Sequence, residues 1–455
     1  EASTANPTVA LQEPSWHVPA NPIRFVTAAS LFDGHDAAIN IMRRVLQSAG
    51  AEVIHLGHNR SVKEIVDTAI HEDVQGIAIS SYQGGHMEYF KYMVDLLKEH
   101  GADHIRVFGG GGGVIVPEEI TELQDYGVTR IFSPEDGLKM GLRGMIDQMM
   151  RECDFDVTSI KTVELNASEG KPLPSDIARA LSMIEASHEA LPGLSGDGAA
   201  ASEQMAPTIG ITGTGGAGKS TLTDELIRRF VTDFDDLDIA VLSVDPTRRS
   251  TGGALLGDRI RMNSIYDEAG KRVFMRSFAT RQAHRATSQA LQDSIAVCRA
   301  AGFNLIILET AGIGQSDTEI ADMTDITLYV MTQEFGAPTQ LEKIGMLDVA
   351  DFVALNKFEK RGSEDALRDV RKTLQRNRAA FETPTENMPV FPTMASHFND
   401  QGVTNLYLGL LGALNHQFGF SRSSTTYQDL PVEPGTSAAE ALIPARRQRY
   451  LGDIA

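Results

Sequence analysis

The octapeptide Gly213-Thr214-Gly215-Gly216-Ala217-Gly218-Lys219-Ser220 fills every fixed position of the phosphate loop GxxxxGK[ST]. It follows a short apolar run, Ile209-Gly210-Ile211-Thr212, and precedes Leu222, Leu226, Ile227 and Phe230, which are spaced as one face of a helix. Strand, glycine turn and helix in that order commit this half of the chain to a parallel α/β fold. The turn gathers backbone N–H groups at a helix N-terminus, where they attract phosphate. Gly213, Gly215, Gly216, Ala217, Gly218 and Thr221 form the expected cradle. Lys219 is placed to reach the β- and γ-phosphates, and the Ser220 hydroxyl to hold Mg²⁺. The motif implies a bound nucleoside triphosphate.

Further motifs of this half converge on the same ligand. Leu242-Ser243-Val244-Asp245-Pro246 and Asn304-Leu305-Ile306-Ile307-Leu308-Glu309 are apolar runs that lead to a carboxylate, and Asp258 follows the glycine-rich Thr251-Gly252-Gly253. Mg²⁺ takes oxygen ligands in an octahedron, usually one or two carboxylates with phosphate oxygens and water. Ser220, Asp245, Asp258 and Glu309 are therefore the candidate magnesium ligands, and Lys219, Asp245 and Glu309 the candidates for chemistry at the phosphate. Arg261 is a candidate nucleotide contact, and Gln315 and Asp317 are candidates to orient water or to signal. Asn356-Lys357-Phe358-Glu359 ends a further strand and is similar to the guanine motif NKxD, with an acid one methylene longer at its last position. Asn356, Lys357 and Glu359 thus favour GTP over ATP, because adenine would leave their buried polar groups unpaired. Thr393-Met394-Ala395-Ser396 is placed to close the base pocket.

The N-terminal half alternates strand and helix patterns. Strands are expected near 23–28, 52–56, 76–80, 105–108 and 129–132, and helices near 36–48, 61–72, 88–99, 118–126 and from 137. That pattern predicts a flavodoxin-like, five-stranded parallel sheet, which binds ligands at the C-terminal edge of its strands. Asp33-Gly34-His35 lies at that edge, where His35 is able to ligate a metal while Asp33 accepts from its other nitrogen. Taken alone, the string reads more readily as a solvated turn. Ser80-Ser81-Tyr82 and the run from Gly109 to Gly113 end the third and fourth strands, and such small residues carve a slot for a flat ligand.

Asp33, His35, Ser80 and the glycine run resemble the pattern DxHxxG, SxL, GG of the cobalamin-binding domain of adenosylcobalamin-dependent acyl-CoA mutases. The resemblance implies that His35 ligates cobalt and that Asp33, Ser80, Gly109 and Gly110 bind the cofactor. Ala38 stands where that family has glycine and Tyr82 where it has leucine, a difference expected along the nucleotide tail of the cofactor. The second half resembles the SIMIBI-class GTPase chaperones of such mutases. Both halves, in this order, resemble the N-terminal part of the fused isobutyryl-CoA mutase family. That family implies adenosylcobalamin, Mg²⁺ and GTP/GDP, with GTP hydrolysis gating cofactor loading and protecting a mutase. It also implies a substrate-binding barrel as partner, a homodimer, and an adenosyltransferase that delivers cofactor. The chain's last residues read as the start of a connection, and no mutase turnover is expected from this chain alone. A nucleotide-gated cobalamin carrier without catalysis is the alternative. A receiver–kinase pair fits less well, since the third strand ends in Ser80-Ser81 where a receiver needs aspartate.

Composition narrows the partners. The chain has 455 residues, and its 41 Lys and Arg against 61 Asp and Glu leave a net charge of −20. That balance opposes binding to nucleic-acid backbones and to anionic membranes. Cys153 and Cys298 are the two cysteines, too few for a disulfide framework, which leads one to expect a reducing cytosol. The expected organisation is a flexible segment 1–21, a cobalamin domain 22–152, a linker 153–205 whose helix near 175–190 is a candidate to dock it, a GTPase domain 206–420, and a connecting tail 421–455.

Overall fold

The structure is a computed structural model that describes residues 17–35, 37–160, 163, 165, 171–187, 205–246, 252–266, 272–280, 284–310, 319–336, 341 and 344–428. Its two sheets are parallel throughout, with helices on both faces, so the fold is α/β. Parallel strands covered on both faces must be apolar along their whole length. Ile23, Phe25, Val26, Ala28 and Ala29 meet that demand in the first half, and Leu305, Ile306, Ile307 and Leu308 in the second; all are buried.

The first sheet contains β1 (Arg24–Ser30), β2 (Glu52–Arg60), β3 (Gly76–Ser80), β4 (Arg106–Gly110) and β5 (Arg130–Phe132). Helices α1 (Ala37–Ser48), α2 (Val62–His71), α3 (His86–Glu99), α4 (Pro117–Tyr126) and α5 (Pro134–Glu152) connect and cover them, with α5 broken at Gly141. A capping box sets the start of α2, where Ser61 Oγ accepts from Glu64 N and Ser61 N donates to the Glu64 carboxylate at 2.7 Å. The C-terminal half contributes β6 (Thr208–Gly213), β7 (Ile239–Pro246), β8 (Ala254–Leu256), β9 (Val273–Thr280), β10 (Leu305–Thr310), β11 (Ile326–Met331), β12 (Phe352–Asn356) and β13 (Val390–Thr393). Seven of these form the second sheet, in the order β13-β12-β11-β6-β10-β7-β9, with the phosphate-loop strand β6 in the middle.

One feature departs from the sequence reading, and one settles a point it left open. The first sheet has six strands, in the order β5-β4-β3-β1-β2-β8. Its sixth, β8, comes from the C-terminal half and pairs parallel with Glu52, Val53 and Ile54 of β2. Three residues carry too little pattern to be read as a strand, and their pairing is non-local. The second feature is α6 (Pro174–Ser187), which lies in the segment read as a linker. Its Ile177, Ala178, Leu181 and Ile184 are fully or almost fully buried in one core with Phe274, Leu291, Ile295 and Cys298, residues of β9 and α8 (His284–Ala300). Burial of each large aliphatic side chain contributes roughly 1.5–3 kcal/mol, so the helix is held as part of the core of the C-terminal half. No helix among the described residues is long and apolar enough to cross a membrane.

Candidate functional site

The first site forms where β1, β3 and β4 end. Asp33 is fully buried, and its Oδ2 accepts Tyr82 N–H at 2.6 Å while Oδ1 accepts His35 N–H at 2.9 Å. Oδ1 also lies 2.9 Å from His35 Nδ1. Burial alone would raise the Asp33 carboxyl, but the hydrogen bonds from Tyr82 and His35 hold it below its usual range. A carboxylate at that position fixes the Nδ1–H tautomer and leaves Nε2 with its lone pair. The His35 side chain is 69% exposed, so Nε2 is open to a ligand. Its ring stands 5.7 Å from that of Tyr82, centroid to centroid.

Tyr82 also borders a cavity of about 340 Å³ between the sheet edge, α1 and α5. Ala38, Ile39, Met42, Phe108, Leu142 and Met149 give it an apolar wall, and Ser80, Gly109 and Gly110 form its floor. The cavity is large enough for a flat heteroaromatic group with its linker. Ser80 Oγ is buried and has no hydrogen-bond partner among the described residues. A buried hydroxyl without a partner is costly, so this one is suited to meet a polar atom of a ligand. Gly109 and Gly110 differ in role. A Cβ on Gly109 would come within 2.4 Å of the Phe90 ring, whereas on Gly110 it would meet only Phe132 O, at 3.5 Å. Gly109 is therefore demanded by packing, and Gly110 keeps the cavity open. Ala38 and Tyr82, the departures from the family pattern, both line the cavity. An exposed imidazole backed by a buried carboxylate, next to an apolar cavity with one spare hydroxyl, fits a cobalamin with its tail inserted. Asp36 lies outside the described residues.

The second site forms at the C-terminal ends of β6, β7 and β10. The phosphate loop leads from β6 into α7 (Lys219–Asp233). Gly218 has φ +88° and a Cβ there would come within 2.6 Å of Asn356 Nδ2, so both backbone and space require glycine. Asn356 Nδ2 donates to Ala217 O at 2.7 Å, and Lys357 Nζ donates to Gly216 O at 2.7 Å. Thr393 Oγ1 and Ala395 N both donate to Asn356 Oδ1 at 3.1 Å. The guanine-motif residues are thus tied to the phosphate loop on one side and to the 393–396 loop on the other. Glu359 is exposed in the turn beyond them. Lys219 Nζ donates to Gly213 O at 3.1 Å and to Thr214 O at 3.2 Å, which holds the ammonium inside the cradle.

Oxygen ligands gather beside it. Ser220 Oγ lies 2.9 Å from Asp258 Oδ1 and 2.7 Å from Glu309 Oε1. Asp245 Oδ2 accepts Gly257 N–H at 3.1 Å. Burial, then the Asp258 and Glu309 charges, push the Asp245 carboxyl up to about 8. Burial and Asp258 push Glu309 up as well. Acids that repel one another in a buried site are relieved by a cation. Glu309 Oε2, Thr214 Oγ1 and Thr310 Oγ1 are buried without partners among the described residues. Among those residues no three His, Cys, Asp or Glu side chains group as a complete metal site. Such a partial donor set fits Mg²⁺, whose shell is finished by phosphate and water.

Sequence reasoning missed Ser243, whose Oγ donates to Asp258 Oδ2 at 2.7 Å and so fixes that acid. Its position two residues before Asp245 on the same strand was the available signal. Of the arginines near Asp258, Arg259 is buried and Arg261 exposed. Gln315 and Asp317 lie outside the described residues.

Comparison with known proteins finds a match for each half of the chain. Residues 177–411 match the model of the methylmalonyl-CoA mutase-associated GTPase MeaB. The chain belongs to the MeaB family. Residues 23–142 match the B12 binding domain, so a B12-binding domain precedes the MeaB-type GTPase domain. The chain is 59% identical over 441 residues to a fused isobutyryl-CoA mutase of Cupriavidus metallidurans, a match covering 96% of this chain and 40% of that protein. It is 54% identical over 447 residues to one of Geobacillus kaustophilus, again covering 96% of this chain and 40% of that protein. GTPase ArgK of Escherichia coli is 36% identical over 149 residues, 33% of this chain and 44% of that protein. The chain thus spans 40% of the length of the fused mutases named here.

Proposed function

We propose that the chain binds adenosylcobalamin at His35 and hydrolyses Mg²⁺·GTP at the phosphate loop, the second activity controlling loading and protection of the first site. The observation that carries this reading is the pairing of His35 and buried Asp33 beside a cavity holding an unpartnered Ser80 hydroxyl. When bound, adenosylcobalamin supplies a carbon-centred radical by homolysis of its cobalt–carbon bond. Asp33 orients His35, while Ser80 and the apolar wall hold the tail. In the second site Lys219 and the loop N–H groups stabilise charge on the transferred phosphoryl. Ser220, Asp245, Asp258 and Glu309 hold Mg²⁺, and Asn356, Lys357 and Glu359 read guanine. Supported by similarity to fused mutases, we place the chain beside a substrate-binding domain that interconverts isobutyryl-CoA and n-butyryl-CoA, in a homodimer served by an adenosyltransferase.

The visible spectrum of adenosylcobalamin with wild type and His35→Ala tests the first site. Wild type should show a histidine-ligated spectrum and the variant a spectrum without imidazole, or no retained cofactor. Equal spectra would remove His35 as cobalt ligand. Lys219→Ala should lower GTP turnover at least about 100-fold and leave the cobalamin spectrum unchanged.

A further inference from the structure

The turn that leads out of β1 towards His35 is built against local preference. Asp33 N donates to Ser30 O at 3.1 Å, which closes a four-residue turn, Ser30-Leu31-Phe32-Asp33. Phe32, its third residue, has φ +63°. A positive φ at that position of a turn belongs to glycine or asparagine, because a Cβ there crowds the backbone. The turn is braced from both sides. Phe32 N donates to Asn59 Oδ1 at 2.8 Å, and Asn59, near the end of β2, is itself left-handed at φ +57°. Ser30 Oγ donates to Ser81 Oγ at 2.9 Å, which ties the start of the turn to the end of β3.

The phenyl ring gains little from the fold. Phe32 is 81% exposed, and it belongs to none of the apolar cores among the described residues. Asp33 beside it is fully buried, whereas the His35 side chain is 69% exposed. The loop thus tucks its carboxylate under the sheet edge and presents a phenyl ring and an imidazole on the solvent side. A single apolar side chain on a surface is ordinary. One that also forces a glycine-type backbone on its turn is not, because the strain opposes folding and no buried contact offsets it. Glycine at this position would form the same turn without strain. Strain of this kind persists where a functional contact uses the residue.

We propose that Phe32 is a further cofactor-binding residue, an aromatic platform for the corrin macrocycle when His35 ligates cobalt. The inference rests on the cobalamin reading above and deepens it, by giving the corrin a contact separate from the tail cavity. A corrin is broad and flat, with largely apolar faces, so one ligated by His35 covers the loop that carries that histidine. A phenyl ring is flat, apolar and stiff, with two side-chain torsions to fix, and it gains by contact with such a face. Asn59 keeps the ring in place through the Phe32 N–H. The Ser80 hydroxyl and the cavity wall serve the tail, and Phe32 serves the macrocycle.

The test sets stability against affinity in Phe32→Gly of the purified chain. In thermal melts without cofactor the variant should match wild type or melt up to about 3 °C higher. Glycine accepts the turn's φ without strain, and its greater freedom in the unfolded chain offsets part of that gain. Absorbance titration, with competition for weak binders, gives the affinities for adenosylcobalamin and for adenosylcobinamide, which has the corrin and lacks the nucleotide tail. Phe32→Gly should weaken both by the same factor, about 5- to 30-fold, while Phe32→Tyr stays within about threefold of wild type. Equal affinities in Phe32→Gly and wild type overturn the platform and leave the cobalamin reading intact. A loss confined to adenosylcobalamin also overturns it, because the ring would then act on the tail. A melt more than about 3 °C lower in Phe32→Gly assigns the ring to the fold and overturns it as well. Wild type that binds adenosylcobalamin but no adenosylcobinamide up to millimolar concentration removes the corrin contact. Failure of wild type to bind either corrinoid overturns the cobalamin reading itself.

Discussion

Single side chains in this protein are set up for ligands rather than for the fold alone. Ser80 Oγ is buried without a partner among the described residues, so its hydroxyl adds little to the stability of the chain. Ser80→Ala should leave the melting temperature unchanged or slightly raised and weaken cobalamin binding about 3- to 10-fold, as titration by absorbance will measure. Glu309 is similar in kind. Burial and the nearby Asp258 push its carboxyl up, which means its charge is unfavourable in the folded chain. Glu309→Gln removes that charge at nearly constant shape. At about pH 8 and without Mg²⁺, the variant should melt about 2–4 °C higher than wild type. Its Mg²⁺-dependent GTP turnover should fall at least about tenfold; an unchanged rate would exclude Glu309 from the metal shell.

Elements show where the sequence was legible and where it was not. Five of the six strands of the first sheet and the phosphate loop were readable because a strand buried on both faces imposes an unbroken apolar run, and because glycine spacing is dictated by the phosphate geometry. Asp33, His35 and Ser80 were legible as a pattern. The hydrogen bond from Tyr82 N to Asp33 and the spare hydroxyl of Ser80 were not, since both depend on strands distant in sequence. Ser243 was missed because its role exists only through Asp258. Helix α6 reads as part of a linker, flanked by polar and glycine-rich residues, yet Leu181 and Ile184 are completely buried. Leu181→Ala should therefore cost about 2–5 kcal/mol in chemical unfolding while leaving nucleotide affinity in the folded protein unchanged. A loose linker helix would lose less than about 0.5 kcal/mol.

Across the whole chain, the two halves are joined through buried charge. Arg24, Arg259 and Arg276 meet Glu52, Glu72 and Glu185, and Arg179 meets Asp73 at 2.8 Å. His71 sits in this region, its ring 4.9 Å from Phe274 and its Nδ1 3.2 Å from Arg259 Nη2. Burial, with Arg259 beside it, lowers its basicity well below normal; burial and Arg179 lower that of His104. Both rings are neutral when folded at neutral pH, and the unfolded chain binds their protons more readily. Stability should therefore be intact above the unfolded histidine range near about pH 6.5 and fall as pH drops through it, by up to about 1.4 kcal/mol per pH unit for each such group. Thermal melts from about pH 7.5 to 5 will measure the slope, and His71→Phe should reduce it by one proton's worth. An equal slope in the variant would show that His71 does not contribute.

Local pattern and chemistry are enough to specify an α/β chain with a phosphate loop and an Asp-x-His edge, because apolar runs, glycine spacing and the residue types at strand ends are all contained in short windows. Three further features exist only in the folded chain: β8 crosses to the other sheet, α6 belongs to a core, and Asp258 and Arg259 face different sites. Those are non-local pairings of short or unpatterned segments, and their free energy comes from burial and charge pairing between residues far apart in sequence, 187 positions in the case of Arg259 and Glu72. No window of sequence holds both partners, so folding alone brings them together.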